Sequence, residues 1–133
     1  MLVGLALVLL ATGCRNPQPP KAAAPDTVAH TAFTERIENY FEHDPLTAGR
    51  PSRFLIHLTD LSDGAPVEQA DVTLQVRAAG GSTPPATKAR VGRVTGIYVA
   101  EVTPPAPGTY SIEFRVKNAK LDERMALDGF TVR

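Results

Sequence analysis

The sequence predicts an all-β domain, an antiparallel β-sandwich of about seven short strands. Three observations carry that prediction. Apolar and polar residues alternate over several short runs, and helical spacing of apolar residues is scarce. Clusters of Gly, Pro, Asp and Ser separate the runs. Each run has one polar face, as expected of a sheet with one side in water.

The elements follow in order. A first strand is expected over Phe33–Phe41. The second, Ser52–Asp60, puts Phe54, Ile56 and Leu58 on one face and His57 on the other. Asp71–Arg77 alternates most regularly, with Val72, Leu74 and Val76 opposite Thr73, Gln75 and Arg77. Lys88–Val94 is expected to add a short strand. Ile97–Val102 turns Tyr98, Ala100 and Val102 to one side. Tyr110, Ile112, Phe114 and Val116 then alternate with Ser111, Glu113, Arg115 and Lys117. Arg124–Val132 ends the series, with Gly129 marking a bulge or kink. Turn signals lie at Ala48–Pro51, Ser62–Pro66, Gly80–Pro85 and Pro104–Gly108.

Gly108-Thr109-Tyr110, directly before a strand, resembles the tyrosine corner of immunoglobulin-like sandwiches. That resemblance makes Gly108 and Tyr110 structural residues. The disulfide and tryptophan of true immunoglobulin domains are missing, because the chain has one cysteine and no tryptophan. The expected fold is immunoglobulin-like in shape only.

Composition narrows the function classes. The chain has 133 residues, with 14 basic and 14 acidic side chains, and no net charge. It therefore lacks the electrostatic footprint of a nucleic-acid-binding protein. One cysteine cannot form an internal disulfide. An apolar fraction of 43% suffices for a packed core. No charged side chain occurs before Arg15.

That uncharged start carries an apolar run, Leu2–Ala11, about half the roughly 20 residues that span a bilayer as a helix. Its length suits a secretory signal. Ala11-Thr12-Gly13-Cys14 follows and resembles the bacterial lipobox. The resemblance implies cleavage after Gly13 and a covalent lipid on Cys14, which would also cap a lone thiol in an oxidising compartment. Several acyl chains make a lasting membrane anchor where one does not. No other cofactor is expected. Pro17, Pro19, Pro20 and Pro25 exclude a helix from most of the next segment and suit a semi-extended tether. The expected organisation is a signal peptide over 1–13, a lipidated cysteine and Pro-rich tether over 14–32, and a sandwich over 33–133. By the same resemblance, Arg15 after the cysteine favours the outer membrane, on the periplasmic side of a bacterial envelope.

Catalytic patterns are sparse. There is no G-x-S-x-G motif, and Gly80-Gly81 opens no expected helix, so neither a serine nucleophile nor a phosphate loop is indicated. The expectation is a non-enzyme. Glu42 and Asp44 flank His43, which reads as a solvated turn. His30, His43 and His57 are spaced by 13 and 14, outside the usual metal-ligand patterns. A metal-binding module would draw on His43 and His57, with Asp44 or Met125 as further candidates.

One block is more specific. Residues 42–61, Glu42-His43-Asp44-Pro45-Leu46-Thr47-Ala48-Gly49-Arg50-Pro51-Ser52-Arg53-Phe54-Leu55-Ile56-His57-Leu58-Thr59-Asp60-Leu61, resemble a stretch in periplasmic adaptor subunits of heavy-metal efflux pumps of the resistance-nodulation-division type. A Gly-Ala-Pro-Val turn and a strand with Val-Thr-Leu follow in both. Gly96-Ile97-Tyr98 and Pro-Gly-Thr-Tyr also fit YtkA-like periplasmic sandwich modules. The resemblance covers roughly 34–133 and implies the adaptors' N-terminal β-domain. The heptads of an adaptor's helical hairpin are absent from the sequence. The expectation is a free-standing form of that domain, or the front of a split adaptor, that docks on an efflux pump, an adaptor or an outer-membrane channel. His57, Thr59 and Asp60 are the expected contact residues. Two alternatives stay open: a copper- or zinc-binding module, and a structural envelope lipoprotein or adaptor-gene remnant.

Overall fold

A computed structural model describes residues 26–81 and 83–133. The expected signal segment, the expected lipidation site Cys14 and the expected tether up to residue 25 lie outside the described residues. The described chain is all-β. Its nine strands are β1 (Val28–Phe33), β2 (Ile37–His43), β3 (Ser52–Asp60), β4 (Asp71–Ala78), β5 (Thr87–Lys88), β6 (Arg90–Val91), β7 (Ile97–Val102), β8 (Gly108–Lys117) and β9 (Asp122–Val132). They form two antiparallel sheets. One has the order β1-β2-β3-β7-β6, the other β5-β4-β8-β9.

The alternation read from sequence sets the core. Phe54, Ile56 and Leu58 of β3 and Tyr98, Ala100 and Val102 of β7 face Val72, Leu74 and Val76 of β4 and Ile112, Phe114 and Val116 of β8. Two tyrosine hydroxyls tie loops to this core. Tyr98 Oη donates to the Val67 carbonyl at 2.8 Å and accepts from the Ala70 amide at 3.2 Å. Tyr110 Oη donates to the Ala106 carbonyl at 2.8 Å, four residues upstream.

Nine strands replace the expected seven, for two physical reasons. The run expected as one strand from Phe33 to Phe41 is broken at Thr34. There the Thr34 hydroxyl accepts from the Arg36 and Ile37 amides, both at 3.1 Å, and turns the chain back. The residues before it therefore form a separate edge strand, and the sheet begins at Val28, five residues ahead of the expected boundary at 33. The run expected over Lys88–Val94 is also split. β5 pairs with β4 in one sheet and β6 with β7 in the other, so the chain changes sheets at Ala89. The Ala89 amide marks the crossing by donating to the Val72 carbonyl at 2.8 Å.

Two glycines hold conformations a side chain would resist. Gly129 has φ +85° where β9 carries one extra residue against Tyr110–Ile112 of β8, so the expected bulge is present. Gly96 has φ +80°, and a Cβ there would lie 2.5 Å from Pro66 Cβ. Its carbonyl accepts from the Leu58 amide at 2.9 Å, locking the turn before β7 against β3.

Candidate functional site

The two outer faces of the sandwich differ in chemistry. On the four-stranded sheet, charges are paired across strands: Arg77 with Glu113 at 3.9 Å, Lys88 with Asp71 at 2.6 Å, and Asp122 with Arg115 at 3.4 Å and Lys117 at 3.9 Å. These four are the ion pairs among the described residues, and none lies on the five-stranded sheet. Exposed pairs of this kind are worth little individually and read as an ordinary solvated face.

The outer face of the five-stranded sheet is more apolar and holds its cations unpaired. Register places Tyr40, His57 and Ile97 side by side across β2, β3 and β7. The next row is Glu42, Leu55, Val99 and Arg90. Tyr40 meets His57 edge to face, with ring centroids 5.3 Å apart. Its hydroxyl donates to Glu42 Oε1 at 3.0 Å, which raises the phenol's pKa above the ordinary value. His57 Nε2 is buried there without a hydrogen-bond partner. A shallow groove of about 590 Å³ continues the band, with Leu55, Val94 and Ile97 in its wall and Arg53, Arg90 and Arg93 among its lining residues. Val94 is 61% exposed, and Phe33 is 62% exposed at the β1 edge.

The expected contact residues fall on this face only in part. His57 and Thr59 share it. Asp60, one residue on, alternates away and is held by its own turn. Its carboxylate accepts from the Ser62 hydroxyl at 2.6 Å and the Ser62 amide at 2.9 Å, which lowers its pKa.

A second cluster lies at the other side of the same sheet. His43 is the last residue of β2 and faces inward, 4% exposed. His57 faces outward, so the pair expected to share a metal is separated by the sheet itself. Asp44 does not supply a carboxylate to His43 either, because its Oδ2 accepts from the Arg53 amide at 3.2 Å. Met125 packs in the core of the other sheet, opposite Phe114 on β8. His43 has His30 of β1 as its neighbour instead. Their Nε2 atoms are 3.3 Å apart, with ring centroids at 5.4 Å and planes within 2°.

The tautomer of a neutral His43 follows from its other nitrogen. Nδ1 lies 2.8 Å from the Asp44 carbonyl, which can only accept, so Nδ1–H donates there, and in the neutral ring Nε2 presents its lone pair to His30. The same carbonyl accepts from Ser52 Oγ at 2.8 Å, fixing the ring's anchor. Phe41 and Phe130 pack on His30 at 5.2 and 4.9 Å, and Phe54 on His43 at 5.0 Å. Burial first, and the neighbouring His43 second, hold the His30 imidazole below its ordinary pKa.

This pair escapes a search for spacing alone. The signal that finds it is the hairpin at Thr34. Once β1 and β2 are registered with His30 opposite Phe41, His43 becomes its diagonal neighbour on the same face. Among the described residues, no group of three or more His, Cys, Asp or Glu side chains is placed to hold a metal ion.

Compared with known proteins, the chain matches no family model, and no curated protein matches it.

Proposed function

We propose that this protein is a non-enzymatic docking module of the bacterial envelope, anchored by lipid on Cys14, that binds a protein partner in a heavy-metal efflux assembly. One observation carries the docking part: the asymmetry of the two outer faces. A band of Tyr40, Leu55, His57, Ile97 and Val99, bordered by three arginines outside any ion pair, has the aromatic and arginine-rich character of interface centres. The opposite face, with its paired charges, offers no comparable apolar area. The partner surface that fits has an apolar centre and an acidic rim. The efflux context rests on the resemblance of residues 42–61, and the anchor on the lipobox-like Ala11–Cys14.

The test is affinity capture of the full chain from detergent-solubilised membranes, beside Arg93→Glu and Val94→Glu. Both changes are at exposed positions and leave the core intact. The expected result is recovery of an efflux pump, adaptor or channel subunit with the natural sequence and its loss with either variant. Equal recovery from the variants, or no transport component in any capture, would overturn the reading.

A further inference from the structure

We infer that His30 and His43 form a two-coordinate site for a soft monovalent cation, copper(I) or silver(I), enclosed by Phe41, Phe54 and Phe130. The inference does not depend on the docking face, which lies on the other side of the sheet.

The number of ligands selects the ion. The centroid separation of 5.4 Å exceeds the 3.3 Å between nitrogens by nearly two ring radii, so the rings meet head to head with Nε2 facing Nε2. A tetrahedral ion with bonds of about 2.0–2.1 Å would accept this nitrogen spacing, and the ring separation allows the modest bend it needs. It would, however, need two further ligands, and the described residues offer no third His, Cys, Asp or Glu. An ion on the line itself needs only two nitrogens, opposed, at a separation of about 4 Å for bonds of about 2 Å. That linear arrangement is characteristic of monovalent d¹⁰ ions. The required widening falls on His30, which is half-buried on an edge strand paired on one side only.

The surroundings agree. A metal-binding imidazole commonly donates its second N–H to a carbonyl, and His43 Nδ1 does so to Asp44. The shell is aromatic and carries no carboxylate, which suits a single positive charge near ring faces better than a divalent ion. Without the ion, His30 Nε2–H donates to the bare Nε2 of His43. When the ion enters, the His30 proton moves to its own Nδ1, and no proton need be released.

The test uses the full chain carrying Cys14→Ser, which removes the competing thiol. Silver(I) is titrated directly, and copper(I) is titrated anaerobically against a chromophoric chelator. One ion per chain is expected, with two nitrogen scatterers near 2 Å in X-ray absorption at the metal edge. His30→Gln and His43→Gln should each weaken binding about a hundredfold or more, since each removes one of two linked ligands. His57→Gln should bind like the parent. His30→Gln alters only a half-buried edge position, so it keeps the test decisive if His43→Gln fails to fold. Absence of stoichiometric binding, survival of binding in His30→Gln, dependence on His57, or zinc(II) binding as tightly as silver(I) would each overturn the inference.

Discussion

Asn39 offers the sharpest test of how this core is balanced. It sits on the inward face of β2 between Ile37 and Phe41, opposite Ala32 of β1 and Leu58 of β3, and is fully buried. Neither its Oδ1 nor its Nδ2 has a hydrogen-bond partner. A buried polar group left unpaired costs about 1–3 kcal/mol. Asn39→Leu keeps the branching at Cγ and removes both polar atoms, although its methyl groups are bulkier than the amide they replace. The expected gain is about 1–3 kcal/mol, which for a domain of about 100 residues raises the thermal midpoint by roughly 5–20 °C. Asn39→Asp should do the reverse, losing about 3 kcal/mol or more at neutral pH because the charge has no counter-ion there. The assay is thermal and urea unfolding followed by circular dichroism. A lowered midpoint for Asn39→Leu and for the smaller Asn39→Val, with sheet content unchanged, would refute the reasoning. It would mean that the amide is paired in the folded protein.

Other expectations follow from single contacts. Tyr98→Phe leaves the Ala70 amide and the Val67 carbonyl without their shared partner, and should cost about 1–3 kcal/mol in urea unfolding. Gly96→Ala combines a left-handed φ with a 2.5 Å approach to Pro66, so about 2–4 kcal/mol should be lost, visible as a large drop in thermal midpoint. Acid should weaken the fold through Asp60, Asp71 and Asp122. Hydrogen bonds from Ser62, Lys88 and Arg115 respectively hold these carboxyls below their ordinary 3.8. Their contribution is present above about pH 4 and disappears as pH falls through the lower folded values. All three are exposed, so the effect is small, and Asp71→Asn should flatten the lower part of a pH–midpoint curve measured from 5 to 2.5.

Much of the architecture is written in local alternation. β3 and β7 begin and end where the pattern says, because each has one face in the core and one outside. β1 is hidden for a definite reason. The residues on its core-side face are Val28, His30 and Ala32, but Val28 at the strand end is 42% exposed and a histidine holds the middle position, which masks the apolar period. The change of sheets at Ala89 is equally hidden, since alternation specifies which face is buried but not which sheet a residue joins. The candidate sites divide the same way. The outward position of His57 follows from strand parity, and so does the separation of Asp60 from Thr59. The approach of His30 to His43 depends on a turn made by a threonine hydroxyl, and composition carries no trace of it.

The edge position of β1 also has a mechanical meaning. The described chain enters the fold through this strand, which is registered to β2 from Val28–His43 to Phe33–Glu38. Tension arriving from the N-terminal side therefore reaches the body through one antiparallel pairing. A pull along the strand loads all six registered pairs together, whereas a pull across it opens them one after another, starting at Val28. His30 lies two residues in from that starting point, opposite Phe41. A force that peels the first residues of β1 would thus separate the imidazoles before it disturbs the main core, and an ion held between them would act as a rivet at the first point to yield.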